Sequence, residues 1–424
     1  LGDGYTEDQM SDFVRDANSF KNYLFEKQPF SSYRNYFNVF IIKTPSLESG
    51  VKHPHTASDC SSAHPSVPVA DPNNYFGSTF DAYGIHRLLV PMNYAALVSV
   101  MANNFPDYDQ AFVLANTPYY GGSGGHFATA SLDHLSNVVA LHEIGHSFAG
   151  LADEYWAGEY YAAEKPNMTR DNNPATNKWK NWLTHGTGIG IHQHGGHPWY
   201  KPANGTCEME ALHQPYCHVC TQAIIERIHE LVNPLKGYFP SSEIKTITKS
   251  EYFSLDLIKP IPNTLKTNWL LNGNLIGRNV DSVLINPSTL MDGINNISVT
   301  VSDTSILTRS DEHITSHVSS ARWDISKVTT GMRTVALGDD RIELKLFPNP
   351  SSDVLTINFR IQKPEPVTLT VYSSQGIVMQ RRIVPANSAN ENSLTVDVGT
   401  YPSGSYYLEL KTMDFIHSEP FIKR

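Results

Sequence analysis

The sequence predicts an α+β domain, a mixed sheet carrying one prominent helix, followed by two all-β sandwich domains. Three observations lead there. The chain of 424 residues is too long for one compact core, and its 40% hydrophobic and 11% aromatic content is enough to fill several. Apolar residues recur at steps of three and four through the first half, the period of a buried helix face. Beyond Phe239 that period gives way to short alternating runs separated by turn residues, which is the pattern of stacked sheets.

The elements follow in order. Met10, Phe13, Ala17, Phe20 and Leu24 lie on one face of a first helix, and Thr6 with Gln9 three residues later reads as a capping box before it. Asn38 to Ile42 and Ala111 to Ala115 are predicted as short buried strands. A third strand, Gly125 to Ser131, follows the glycine-rich turn Gly121 to Gly125. A helix is predicted from about Leu132 to Ala149, stopped by Gly150, and the last helix from Gln222 to Leu231. Further on, Ile297, Val299 and Val301 alternate with Ser298 and Thr300, and Trp269 precedes an Asn272-Gly273 hairpin turn. A third unit opens near Ala336 with the run Leu346 to Pro350, and its strands include Val354 to Phe359, Val367 to Val371 and Tyr406 to Leu410. The expected division is 1–238, 239–335 and 336–424, the middle domain having an immunoglobulin-like pattern.

Charge and composition narrow the function. The formal charge of −10 argues against a binder of nucleic-acid backbone, which needs a basic face. No apolar run approaches the ~20 residues of a membrane span, so no transmembrane segment is expected. The chain opens on Leu1 rather than Met, which fits removal of an upstream export signal. The four cysteines, Cys60, Cys207, Cys217 and Cys220, are too few for a disulfide scaffold.

The one sharp chemical signal is His142-Glu143-Ile144-Gly145-His146. Residues four apart share a helix face, so both imidazoles can reach one metal ion from a rigid platform. Glu143 sits beside that face, where a carboxylate can take a proton from a water that a zinc ion has acidified. A chance match has an expectation of only ~0.03 in a chain this long, and here the motif lies within a credible apolar helix. A catalytic zinc needs a third protein ligand and an open position. Two carboxylates follow the helix stop at once: Asp153 is the preferred third ligand and Glu154 the alternative. The partner of this choice is expected to hydrogen-bond a ligand histidine or cap local backbone.

The downstream residues are open to several readings. Met209, in Cys207-Glu208-Met209, is a candidate for a methionine turn beneath the metal. The cysteines, with His213 and His218 nearby, read as one or two disulfides under the active site in preference to a second, structural zinc or a redox pair. His185, His192, His194 and His197 are expected to be solvated or hydrogen-bonded. One of these, or Tyr200 or Tyr216, is a weak candidate to line the cleft. The glycine-rich turn lacks a P-loop lysine and reads as a flexible lip. Phe127 to Ser131 is either an edge strand able to pair with an extended peptide or an ordinary internal strand.

Leu1 to Thr6, Tyr75 to Ser78, Gly84 to Arg87, the run HEIGHSFAGLADEY and the pair CEM and CHVC together resemble the bacterial IgA-peptidase family of zinc metallopeptidases, over about residues 1 to 235. The resemblance implies a metzincin-like α+β endopeptidase with His142, His146 and one of the acidic pair on zinc and Glu143 as general base. It does not imply that IgA is the substrate. In metzincins the spacing is HExxHxxGxx(H/D). Here Gly150 and Asp153 are each displaced by one residue, so the step of three between them is kept. Residues 341 to 424, with their FPNP start, Gly404, Tyr406, Leu408 and the basic end Lys423-Arg424, resemble the C-terminal sorting domain of secreted Bacteroidota proteins.

The expectation is therefore a secreted, surface or periplasmic zinc endopeptidase, monomeric, acting on proteins or peptides, host glycoproteins among them. The alternative is a non-catalytic adhesion or glycan-binding protein with a structural or vestigial metal site. An intact Glu143 counts against that alternative, because a structural site has no use for the carboxylate.

Overall fold

The computed structural model describes residues 1–62, 66–184, 186–241, 244–311, 317–327, 343–361, 365–374, 376–385, 392–412 and 416–424. The chain forms two compact units, Leu1–Val328 and Thr329–Arg424. The N-terminal region is mixed α/β, and among the described residues beyond 234 the regular structure is β-sheet apart from one 3-10 turn. Among the described residues no helix is long and apolar enough to cross a membrane.

The sheet that positions the site has four strands in the order β1-β4-β6-β5: β1 (Gly2–Asp3), β4 (Ala111–Ala115), β6 (Phe127–Ala130) and β5 (Gly122–Ser123). The first three run parallel, and β5 closes the edge antiparallel to β6. Two pairs of short strands lie outside it, β2 (Ser78–Thr79) with β3 (Val90–Pro91) and β7 (His192–Gln193) with β8 (Tyr200–Lys201). All four residues of β6 are buried. It is thus an internal strand, and the edge belongs to β5. Asn38 to Ile42 does not form a strand: the segment is irregular, and Val39 and Phe40 are more than half exposed or close to it.

Helix α1 (Met10–Glu26) buries Met10 and Phe13 against Tyr5 and Leu114, while Phe20 stacks on Phe112 at 4.5 Å. The Thr6–Gln9 capping box is present on the 3-10 turn that leads into it. After the one-turn α2 (Phe30–Tyr33) and α3 (Tyr94–Asn104) comes α4 (Ser136–Ala149), the helix carrying the histidine motif. It begins later than the apolar pattern predicts, because Asp133 forms its own turn, its carboxylate accepting from Leu135 N at 2.9 Å. Helix α5 (His218–Leu231) starts one turn earlier than expected and packs beside α4 in a shared core that includes Leu141, Ile144, Phe148, Cys220, Ile224 and Ile228.

A second core within the first unit lies between a five-stranded sheet and a three-stranded one, orders β10-β16-β15-β12-β13 and β14-β11-β9. The strands are β9 (Leu235–Phe239), β10 (Ile244–Ile247), β11 (Glu251–Leu257), β12 (Leu265–Leu271), β13 (Asn274–Arg278), β14 (Ser282–Ile285), β15 (Ile294–Asp303) and β16 (Val318–Lys327). Trp269 stacks on Trp323 at 5.7 Å in its centre. Asn272 and Gly273 join β12 to β13 with φ of 49° and 80°, the left-handed pair a two-residue hairpin demands. Ile297, Val299 and Val301 are buried on β15, as their alternation predicts.

This β-layer is locked onto the helices. Asp303, buried, accepts from Tyr33 Oη at 2.6 Å and Thr264 Oγ1 at 2.6 Å, and lies 3.0 Å from His229 Nε2 of α5. The second unit has its own core, with Leu355, Ile357, Val367, Leu408 and Phe421 between sheets of three and four strands.

Candidate active site

Gly150 ends α4 with φ of 63°, a conformation that costs a residue without a Cβ little. Its N–H returns to the carbonyl of His146 at 3.1 Å and that of Leu151 to the carbonyl of Gly145 at 3.1 Å. The chain therefore doubles back under the helix, and Asp153 is carried to the face that holds both histidines. His142 Nε2 lies 3.0 Å from Asp153 Oδ1 and 3.1 Å from His146 Nε2, and the latter is 3.3 Å from the same carboxylate oxygen.

The second nitrogen of each ring decides what can lie between them. His142 Nδ1–H donates to the carbonyl of Glu208 at 2.9 Å, and His146 Nδ1–H to the carbonyl of Leu151 at 2.8 Å. Carbonyl oxygens only accept, so both Nδ1 atoms carry hydrogen and both Nε2 atoms turn their remaining valence toward Asp153. Two imidazole lone pairs and a carboxylate oxygen facing one point need positive charge there, a proton or a metal ion, and the donor types suit a divalent transition metal. Burial alone would raise Asp153, but the bonds from His142 and His146 outweigh it and hold the carboxyl well below the ordinary range. Burial would lower His146; its bond to Asp153 wins and raises it to about 9.

Glu143 sits beside this trio, nearly buried, and burial pushes its pKa up. Gly124, the fourth residue of the glycine-rich turn, packs against it: a Cβ there would stand 2.8 Å from Glu143 Oε2 and 3.0 Å from His146 Cβ. Thus the turn is part of the wall around the carboxylate, with β5 built from two of its residues, and not a free lip. Met209 is completely buried in a turn beneath α4, where a Cβ on Gly145 would meet its Sδ at 2.6 Å.

Gly124, His142, Glu143, His146 and Asp153 line a cleft of 1120 Å³ that also includes Arg87, Tyr83, Tyr120, Tyr155, Trp156 and Tyr161. Tyr155 lies over His142, ring centroids 6.3 Å apart. Tyr200 and Tyr216 do not line the cleft. Tyr216 is under α4, its hydroxyl donating to the carbonyl of Leu141, and the Tyr200 hydroxyl accepts from Asn172 at 3.2 Å. His197 stacks flat on Trp156 at 3.7 Å and His194 is buried behind it, while His185 lies outside the described residues.

Glu154 is turned away from the histidines. Its Oε1 accepts from Asn167 Nδ2 and from Cys220 Sγ, each at 3.1 Å, so it neither bonds a motif histidine nor caps backbone with its side chain. The cysteines are all unbridged, which corrects the disulfide expectation. Cys207, Cys217 and Cys220 gather around Glu154, and Cys60 lies with His53, Asp81 and His86. His218 stacks on Trp182 at 4.8 Å and His213 occupies a positive-φ turn, so neither joins the cysteine group. Gly124, Tyr155 and the Glu208 carbonyl are neighbours of the site that sequence reasoning missed. Only the glycine-rich turn, by its position just before the motif helix, carried a signal.

A mixed α/β region with a candidate metal centre at the foot of a wide cleft is thus the setting in which the comparisons fall. Residues 1–194 match the family model described as IgA Peptidase M64, a family of metallopeptidases, and this match supports a peptidase. Residues 345–424 match the Secretion system C-terminal sorting domain, which marks a protein that is secreted or held at the cell surface. No curated protein matches the chain. Solved structures similar to parts of it include the dimeric latent PorU from Porphyromonas gingivalis (12% identity, 44% of this chain and 19% of that one, TM-score 0.18). Others are a β-glucuronidase from Parabacteroides merdae (9%, 49% and 27%, 0.18) and the SGBP-B protein of a Bacteroides ovatus glucan-utilisation locus (10%, 43% and 42%, 0.15). The chain spans less than half of each of these three, and at such TM-scores the likenesses carry no argument.

Proposed function

We propose that this chain is a zinc-dependent endopeptidase of metzincin-like architecture, acting outside the cytoplasm. The observation that carries the reading is the convergence of His142, His146 and Asp153 on one point, with Glu143 alongside at the floor of an open cleft. His142, His146 and Asp153 would hold the ion, and Glu154 would not. When bound, zinc supplies Lewis-acid polarisation of the scissile carbonyl and acidifies a water molecule.

The chain's own residues do the rest. Glu143, made more basic by burial, takes a proton from the attacking water and returns it to the nitrogen of the departing amine. The backbone carbonyls of Glu208 and Leu151 fix both imidazoles in one tautomer and one orientation. The aromatic sides of the cleft give an extended peptide several flat surfaces to lie against. We assign this chemistry to residues 1–238, with 239–335 and 336–424 as the two β-domains, the first immunoglobulin-like.

The test uses the full chain and a generic unfolded protein as substrate. Glu143→Ala should keep its zinc and lose about 10²–10⁴-fold in turnover; a chelator should abolish cleavage and zinc restore it. Undiminished turnover of Glu143→Ala would refute the base assignment. Bound zinc with no protein or peptide ever cut would favour the adhesion alternative.

A further inference from the structure

We infer that Glu154, Cys207, Cys217 and Cys220 form a second metal site, a closed structural zinc site beneath the candidate active site. One ligand atom of each lies within 4.8 Å of all the others, and all four residues are buried.

The spacing is that of a coordination shell. Zinc–sulfur bonds of about 2.3 Å in a tetrahedron place two sulfurs about 3.8 Å apart, and a sulfur and a carboxylate oxygen about 3.5 Å apart. Cys207 Sγ and Cys220 Sγ are 3.7 Å apart, Cys217 Sγ is 3.7 Å from Glu154 Oε1, and Cys220 Sγ is 3.1 Å from it. Four protein donors leave no open position, which is the mark of a structural site and not a catalytic one.

A metal-free cluster leaves a defect. Glu154 Oε2 is buried with no hydrogen-bond partner, and an orphan carboxylate oxygen in an apolar core is strongly unfavourable. Binding Zn²⁺ displaces the protons that the three thiols and the Glu154 carboxyl carry and leaves three thiolates and a carboxylate around the ion, a net charge of −2. The surroundings are arranged for that charge. Cys217 caps the N-terminus of α5 and Cys220 lies in its first turn, where the helix field favours thiolate. Cys217 N–H points to Cys207 Sγ at 3.4 Å; the buried Lys201 ammonium donates to the backbone carbonyl of Glu154 at 2.8 Å, which fixes that residue's place, and is itself paired with Glu210.

The other buried group is different in kind. Asp81 already accepts from His86 Nδ1 at 2.8 Å, Thr56 N at 2.7 Å and Cys60 Sγ at 3.3 Å, so hydrogen bonds account for its carboxylate. The cysteine site also has a structural task. Glu154 follows Asp153 directly, and its N–H donates to the carbonyl of Met209 at 2.7 Å. An ion here would tie the segment bearing Asp153, the Met209 turn and the start of α5 into one piece.

The experiment compares the full chain, His142→Ala/His146→Ala, and that variant with Cys217→Ser/Cys220→Ser added. Zinc is counted per chain, and cobalt(II) is substituted to read thiolate coordination by its sulfur-to-metal charge-transfer absorption. The doubly His-substituted protein, inactive, should still hold zinc and show the cobalt–thiolate absorption; adding the cysteine changes should remove one equivalent and the absorption. If the cysteine variant does not fold, the histidine variant decides alone: thiolate-bound cobalt supports the site and its absence overturns it. A disulfide between any two of the three cysteines in the purified native chain, found by mass spectrometry, overturns it as well. Failure of the catalytic reading appears separately, as lack of cleavage by a protein whose cobalt–thiolate absorption is intact.

Discussion

Replacing Gly124 by alanine adds a single methyl group at the place where the glycine-rich turn meets the proposed general base. That carbon would stand 2.8 Å from Glu143 Oε2, where an ordinary contact begins at 3.4 Å, so one of the two must give way by about 0.6 Å. The turn has little freedom to do so. Gly122 bonds through its N–H to the carbonyl of Arg87 at 3.2 Å, a Cβ on Gly122 would itself strike Val139, and His146 Cβ blocks Gly124 from the other side at 3.0 Å. The carboxylate therefore moves. A displacement approaching 1 Å in a catalytic group costs about 10²-fold, so kcat for Gly124→Ala should fall by about 10- to 100-fold. Overpacking should also cost about 1–3 kcal/mol of stability, while zinc content stays unchanged because none of the three proposed ligands is replaced. Steady-state kinetics on a quenched peptide, metal analysis and urea unfolding read the three quantities. A folded, zinc-loaded Gly124→Ala enzyme with kcat within about twofold of the parent would show that Glu143 is not poised where the reaction needs it.

Two further outcomes concern stability. Asp303 is buried, which would raise its pKa, yet the bonds from His229, Thr264 and Tyr33 prevail and lower it to about 2 from 3.8, worth about 2 kcal/mol. Because the folded value is the lower one, that stabilisation is complete above pH ~4 and is lost as pH falls toward ~2. Urea titrations of the parent and Asp303→Asn should differ by about 2 kcal/mol at pH 6 and by less than about half of that at pH ~2.5; a gap that does not narrow would exclude a depressed Asp303. Met209→Ala, which empties a fully buried position under Gly145, should cost about 2–5 kcal/mol. A loss below about 0.5 kcal/mol would mean that the thioether does not support the helix.

The parts of this structure that were legible in the sequence are those set by local periodicity and local stops. The face of α1, the alternation on β15 and the Asn272-Gly273 hairpin all follow from residues within a few positions of one another. The nearness of Asp153 to the two histidines was legible because only a glycine turn separates it from His146. The opposite fates of Asp153 and Glu154 were not, since either side chain could have faced the histidines until Cys207, Cys217 and Cys220 were seen to surround Glu154. Nor was Asn38 to Ile42 readable: its apolar residues look like a strand, but among the described residues no sheet edge reaches them, and Phe40 packs at a tilt against Phe105 instead. Gly124 is a contact across the fold, and no spacing rule announces it.

The Asp303 junction bears on how small a fragment can be made that still holds the candidate site together. The family match stops at residue 194, short of Met209 and of α5. Helix α5 in turn spends His229 on Asp303 and Gln222 on the Arg309 N–H at 2.7 Å, while the Ser32 carbonyl accepts from Ile261 N at 2.7 Å. Trimming the gene at residue 194 would remove α5 and its share of the helical core, and would leave the Tyr33 hydroxyl and the Ser32 carbonyl without the partners that the following β-layer supplies. A fragment that keeps the candidate site in shape is expected to run to the end of β16.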